Sequence, residues 1–229
     1  MGKLTDEISL RDKDYVFEDR KEAGRLLAEK LIKYSGSDGI ALGIPSGGVP
    51  VAVEIANRLN LPIDLIIVRK LQIPYNPEAG FGAMGPDGEI VLNERLLWQI
   101  RISREDIVDQ KNKTMEVVRK REEKFRAGSP YPSLEKKNVI IVDDGLASGY
   151  TMLSAIRFIR KGNPSKIIAA VPTGSQKTVN FILPEVDELV CLNIRSGFTF
   201  TVADAYRKWY DLDDEEVLSL LKNARQAKN

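Results

Sequence analysis

Apolar residues recur along this chain in two rhythms, and their order predicts the architecture. Between Phe17 and Tyr34, the residues Ala23, Leu27, Leu31 and Tyr34 follow at spacings of four, four and three, which places them on one helix face. The cluster Ser35-Gly-Ser-Asp-Gly39 stops that helix, because these residues favour turns. Ile40–Ile44 is then a short, largely apolar run, the mark of a strand covered on both faces. Pro45-Ser-Gly-Gly48 makes a turn, positions 49, 52, 53, 55, 56 and 59 return to helical spacing, and Ile63–Val68 is a second strand. The same order reappears later: a strand over 138–142, a loop over 143–150, a helix over 151–160 and a strand over 166–171. A short helix from Ser175 and a last strand over 188–192 follow. Repeated strand–helix–strand units predict an α/β fold with a mainly parallel sheet of five strands flanked by helices.

Three stretches depart from this rhythm. Residues 1–16 are polar and read as a loosely ordered lead-in. Residues 70–92 are rich in proline and glycine, with Gly85-Pro-Asp-Gly88 between two apolar runs, which predicts a hairpin with a mobile tip. Ser103 reads as the N-cap of a helix over 104–126, where 14 of 23 residues are charged, eight basic and six acidic. So little apolar content places that helix on the surface, as a solvated face or a contact in a homodimer. The α/β core is expected over residues 17–192, and a small C-terminal hood over 193–229, its last helix opened by Asp213-Asp-Glu-Glu216.

Composition narrows the chemistry. A chain of 229 residues with 43% hydrophobic content can fill one large domain. Thirty-four basic residues against thirty-three acidic ones give a net charge of +1, too balanced to draw in nucleic acid or a membrane surface. The single cysteine, Cys191, lies in an apolar run and reads as a buried thiol; it excludes an internal disulfide and a multi-cysteine metal site. No histidine is present, which removes Ser-His-Asp and Cys-His catalysis and the usual neutral-pH base. Carboxylates, lysines, arginines, backbone amides and a hard metal ion remain. The acid-rich beginning lacks a signal-peptide pattern and no window reaches spanning length, so a cytoplasmic location is expected.

The most informative segment is Val139-Ile-Ile-Val-Asp-Asp-Gly-Leu-Ala-Ser-Gly-Tyr-Thr151. Its apolar residues bury a strand, and Asp143 and Asp144 stand at the carboxyl end, the edge where open α/β sheets bind ligands. The following loop is made of small residues and hydroxyls and runs into a helix N-terminus, which offers free N–H groups to an anion. Carboxylates beside an anion site would repel the ligand unless they hold sugar hydroxyls or a magnesium ion.

This segment resembles the 5-phosphoribosyl diphosphate signature of type I phosphoribosyltransferases. The resemblance implies that Asp143 and Asp144 contact the ribose hydroxyls, and hold magnesium directly or through those hydroxyls or water. It implies that Gly145, Leu146, Ala147, Ser148, Gly149 and Thr151 hold the 5-phosphate. Gly145 stands where the family usually has a branched apolar residue, and Ala147 where members acting on 6-oxopurines commonly place a carboxylate. Ile44–Pro50 sits where the family keeps its diphosphate loop, giving Ser46, Gly47 and Gly48 to that group, while Arg69 and Lys70 end the next strand where a basic residue meets the diphosphate. The run from Leu42 to Asn93 and the tail from Phe198 to Tyr210 are similar to a subgroup of uncharacterised phosphoribosyltransferases, in which an arginine often replaces Ser46. The implied reaction transfers ribosyl phosphate to a nitrogen acceptor, a nucleobase, with Lys70 and magnesium offsetting the charge of the leaving diphosphate. The hairpin over 75–92 would serve as a lid, and Phe198, Phe200, Tyr206 and Trp209 would offer rings to the base. The same fold also serves non-catalytic sensors of the sugar diphosphate, the alternative reading.

Overall fold

The computed structural model describes residues 2–226, with residues 77 and 78 by backbone alone; residues 227–229 of the C-terminal segment lie outside the described residues. Six strands form the main sheet: β1 (Lys3–Thr5), β2 (Gly39–Gly43), β3 (Ile63–Leu65), β7 (Asn138–Val142), β8 (Lys166–Ser175) and β9 (Glu188–Arg195). All are parallel, in the order β1-β9-β8-β7-β2-β3. Six strands replace the five expected from the sequence. The addition is β1, from the segment read as a loose lead-in, paired through Lys3, Leu4 and Thr5 with Glu188, Leu189 and Val190. Three residues are too few for hydrophobic periodicity to register; pairing with a distant strand makes them β structure.

Alternation along the strands divides the core into two layers. In β7, Val139 and Ile141 pack into one cluster and Ile140 and Val142 into the other; β8 and β9 divide in the same way. One face is covered by α1 (Arg20–Lys30), α2 (Gly48–Leu59) and α7 (Asp214–Gln226), the other by α5 (Tyr150–Arg160) and α6 (Gln176–Ile182). The helices after β2 and β7 therefore leave neighbouring strands for opposite faces. That divergence opens a crevice at the carboxyl ends of β2 and β7, the switch point where such sheets bind ligands. Cys191 is fully buried, and burial pushes its thiol pKa up, as expected of an inert core residue.

A second, antiparallel sheet, β4 (Arg69–Ile73), β5 (Asn76–Met84) and β6 (Ile90–Leu92), stands beyond β3. The hairpin turn at Gly85–Gly88 forms as predicted, closed by the Gly85 amide donating to the Glu89 carbonyl at 2.9 Å. Lys161, one residue beyond α5, binds Asp87 at 2.7 Å and also pairs with Glu89, and Gly85 packs beside Ser154, so the turn lies along α5. After β6 come α3 (Glu94–Ile100) and α4 (Arg104–Arg126). Ser103 caps α4 in a reciprocal box with Asp106, and Val118 and Phe125 are buried from it.

Two polar devices fasten the later elements. Asp64 of β3 is buried and accepts from Arg126 Nη1 on each of its oxygens at 3.1 Å, while its Oδ1 also accepts from Arg225 of α7 at 2.7 Å and from the Leu65 amide at 2.8 Å. The N-terminal stretch 15–18 pairs with the tail: Phe17 donates to the Ala205 carbonyl at 3.0 Å, and Arg207 donates back to Phe17 at 2.8 Å. Residues before α1 and residues of the C-terminal segment are thus tied to one another.

Asp64→Ala is expected to destabilise the protein by about 3 kcal/mol, because it removes the carboxylate that both Nη1 of the buried Arg126 and Arg225 bind. Arg225→Ala, at a half-exposed position, should cost about 1 kcal/mol or less. Urea unfolding of the two variants checks this; equal losses would show that burial of Arg126 is not what makes Asp64 costly to remove.

Candidate active site

Val142 is the last buried residue of β7, and Asp143 and Asp144 follow at its end. The Asp143 carboxylate turns back to accept the Asp144 amide at 2.9 Å. Asp144 is met by Arg20 of α1, whose Nε donates to Oδ2 at 2.9 Å with the arginine side chain only 7% exposed. Arg20 is held in turn by the Tyr210 carbonyl at 2.8 Å and lies 3.9 Å from the centre of the Trp209 ring. The Tyr206 hydroxyl donates to the Asp144 carbonyl at 2.6 Å. Burial, and then the Asp144 charge, push the Asp143 carboxyl well above the usual carboxylate range. Burial raises Asp144 as well, with Arg20 pulling against it.

The loop from Gly145 divides its residues between anchoring and presentation. Gly145 is buried where an added Cβ would meet Val202 at 2.6 Å and Thr173 at 3.1 Å; Val202 from the tail fills the space a branched side chain would take. Leu146 is in the core and its amide donates to the Thr173 carbonyl at 2.8 Å. It anchors the loop, and that N–H is taken before any ligand arrives, a correction to the role the resemblance implied. Ala147 and Ser148 are exposed, and the Ala147 carbonyl is tied down by the Thr178 hydroxyl at 2.6 Å. Gly149 has φ +83° and begins α5, a conformation that a Cβ would strain. Thr151 lies in the first turn of that helix.

The second loop meets the first at the acid pair. Gly47 packs on the Asp144 carboxylate so closely that a Cβ there would overlap Oδ2. A Cβ on Gly48 would likewise strike the Val142 carbonyl. The Gly48 amide donates to Ile44 at 2.9 Å, so Gly48 serves the turn while Gly47 serves the approach. The Pro45–Ser46 peptide is cis. Ser46 accepts a bond from Arg121 of α4 at 3.3 Å, and Arg121 also pairs with Asp214 at 3.0 Å. Arg69 is half-buried, its pKa lowered by burial and then by the nearby Arg121 charge. Lys70 runs its aliphatic stem across Gly80, within 2.5 Å of where a Cβ would stand.

Sequence reasoning missed Arg20 and Arg121. Each is one charged residue on an amphipathic helix, and only packing brings it to the acid pair or to Ser46. The aromatic expectation divides. Tyr206 is buried and Trp209 faces Arg20, so both brace the acid pair. Phe198 is fully exposed and, with Phe200, lines a cavity beside Ala147.

An acid pair and two glycine-bearing loops thus meet at the switch point of a parallel α/β sheet. The phosphoribosyl transferase domain profile matches residues 17–205, and the chain belongs to that family of transferases. The Mycobacterium tuberculosis H37Rv protein Rv0571c, named for the same family, is 37% identical over 211 residues, 92% of this chain and 47% of its own. The chain thus spans about half the length of the curated relatives it matches. The crystal structure of TT1426 from Thermus thermophilus is 34% identical with a TM-score of 0.73, covering 90% of this chain and 98% of that one. A Neisseria gonorrhoeae protein solved with bound ppGpp shares the fold at 18% identity and a TM-score of 0.50, over 94% and 98% of the two chains.

A raised carboxyl pKa favours folding fully below the unfolded value of about 4 and loses that contribution as pH rises through the raised folded value. Asp143→Asn keeps an acceptor for the Asp144 amide and removes the repelling charge. The variant is therefore expected to melt higher than wild type at pH 8, with the margin closing toward pH 4. Scanning fluorimetry across that range checks it; a variant that melts lower at pH 8 would mean the carboxylate stabilises the fold.

Proposed function

We propose that this protein is a cytoplasmic phosphoribosyltransferase that moves the 5-phosphoribosyl group from 5-phosphoribosyl diphosphate to a ring nitrogen of a nucleobase-like acceptor. The observation that carries this reading is the half-buried Asp143–Asp144 pair, wedged between Gly47 of one loop and the loop over 145–149. Two adjacent acids with one guanidinium between them call for hydroxyl donors or a cation, and a ribose ring offers hydroxyls. The exposed Ala147 and Ser148, with Thr151 and the start of α5, suit a terminal phosphate. Arg69, Lys70 and Arg121 suit the diphosphate at Ser46 and Gly47, each adding positive charge where the leaving group collects negative charge. The bond from C1 to the diphosphate oxygen breaks with its electron pair leaving on diphosphate. The acceptor nitrogen supplies the pair for the new C1–N bond, and a nitrogen that carries a proton releases it to solvent.

The donor set fits a magnesium ion. Such an ion takes one or two carboxylates and completes its shell with substrate phosphates and water, and among the described residues no cluster of three acids, histidines or cysteines competes for it. Asp143 and Asp144 would hold it, directly or through ribose hydroxyls or water. When bound, it supplies positive charge against the departing diphosphate.

Titration calorimetry with 5-phosphoribosyl diphosphate and magnesium tests the carrying observation. Asp144→Asn, which loses a charge-assisted bond, is expected to bind roughly ten- to a hundredfold more weakly, about 1.5–3 kcal/mol. Unchanged affinity in a variant with a native circular dichroism spectrum would remove the reading.

The two ends of the ligand are separable. Lys70→Ala and Arg121→Gln should weaken the diphosphate-bearing ligand and hardly affect ribose 5-phosphate, while replacing Ser148 and Thr151 together by Ala should weaken both. Equal losses from Arg121→Gln on the two ligands would place the diphosphate elsewhere. Diphosphate release with an acceptor present separates the transferase from a sensor that binds and does not turn over.

A further inference from the structure

We infer that the acceptor is a planar compound bearing a carboxylate, and that Arg195 receives that carboxylate. The inference rests on the transfer reaction proposed above and adds the substrate class. Beside the phosphate loop lies a cavity of about 260 Å³ lined by Ala147, Ser175, Lys177, Arg195, Phe198 and Phe200, among others. Ser175 ends β8 and Arg195 ends β9, so the cavity opens on the same carboxyl edge as the acid pair. It stands on the β8–β9 side of β7, and the Pro45–Gly48 loop stands on the β2 side. A nucleophile that attacks C1 opposite the leaving diphosphate must come from the first of these sides. The volume is near the lower limit of small-molecule sites, about 300 Å³, and suits a single ring with a substituent.

The charge of the cavity selects the substituent. Arg195 is 13% exposed in its side chain, and its Nη2 is bound to Asp14 at 2.6 Å. Its Nη1 is, among the described residues, the buried side-chain nitrogen or oxygen that lacks a hydrogen-bond partner. A buried donor with no acceptor is rare in folded proteins and is relieved by a ligand oxygen. Lys177 adds a second, exposed cation, and none of the described lining residues is acidic. The nearest acids are otherwise engaged: Asp14 holds Nη2, and Asp12 accepts the Ser196 amide and hydroxyl at 2.6 and 2.7 Å. Arg195 lines the cavity with one arm of its guanidinium held by Asp14, and a ligand carboxylate would supply the acceptor that the other arm lacks, while Phe198 and Phe200 offer rings to a planar body.

The test measures diphosphate release by the full chain with magnesium and ring-nitrogen acceptors paired to differ at the carboxylate: nicotinate with nicotinamide, and orotate with uracil. At least one acid is expected to exceed its neutral partner tenfold or more in kcat/KM. Arg195→Gln should erase that preference through KM while leaving calorimetric affinity for 5-phosphoribosyl diphosphate unchanged. Lys177→Gln, at an exposed site that tolerates change, should reduce the same preference by a smaller factor. Thermal shift supplies a readout apart from turnover: with the sugar diphosphate bound, the preferred acid should raise the melting temperature of wild type and not of Arg195→Gln. Preference for neutral acceptors, or sugar-diphosphate binding without any response to the acids, would overturn the inference and leave the donor site standing. Failure of wild type to bind 5-phosphoribosyl diphosphate would overturn both.

Discussion

Asp143 and Asp144 follow one another at the end of a strand buried on both faces, so two negative charges meet where little water can screen them. Arg20 is the nearby countercharge, and most of the surrounding architecture acts to hold it in place. Trp209 lies over its guanidinium, the Tyr210 carbonyl takes one of its donors, and Tyr206 binds the backbone of Asp144. These contacts come from residues 20, 144, 206, 209 and 210, which only the pairing of the N-terminal stretch with the tail brings together. A site that holds an unsatisfied charge when empty gains the most from a ligand that supplies hydroxyls or a cation, and stability gives way to binding at that point.

The same economy of space explains the glycines that matter. Gly47 lets one loop touch the Asp144 carboxylate, and Gly145 makes room for Val202 of the tail. Gly149 turns the chain with a positive φ into α5. Each leaves backbone or side chain of a distant segment where a methyl group would stand. The loops are therefore locked to one another as well as to their own strands, which fixes the separation between them. Arg69 and Arg121, crowded together beside Asp214, repeat the arrangement seen at the acid pair with the sign of charge reversed.

Elements with strong local signals are legible in the amino-acid pattern. The strands around 40–44, 138–142, 166–171 and 188–192, the cap at Ser103 and the turn at Gly85–Gly88 all follow from periodicity or turn chemistry, and the fold contains each. Elements that depend on a partner are not. β1 is a strand because β9 offers it an edge. The charged helix α4 has the composition of a solvated face, but one of its arginines bonds Ser46 and another is sealed against Asp64. Charge alone does not tell a helix which of its arginines will be buried.

What the sequence by itself determined is the class of fold and the two loops at its carboxyl edge. Those follow from short-range rules: apolar runs become covered strands, and small residues before a helix expose its amides. Tertiary structure decided how those loops are charged and closed. Arg20, Arg121 and Arg195 each lie far in sequence from the carboxylate or hydroxyl they serve or from the loop they face. An arginine's role depends on burial and on which acid it meets, and both are properties of chain crossings rather than of spacing along the chain. The aromatic residues of the tail divide for the same reason: Tyr206 and Trp209 are drawn inward by Asp144 and Arg20, and Phe198, with no such partner, stays at the mouth of a cavity.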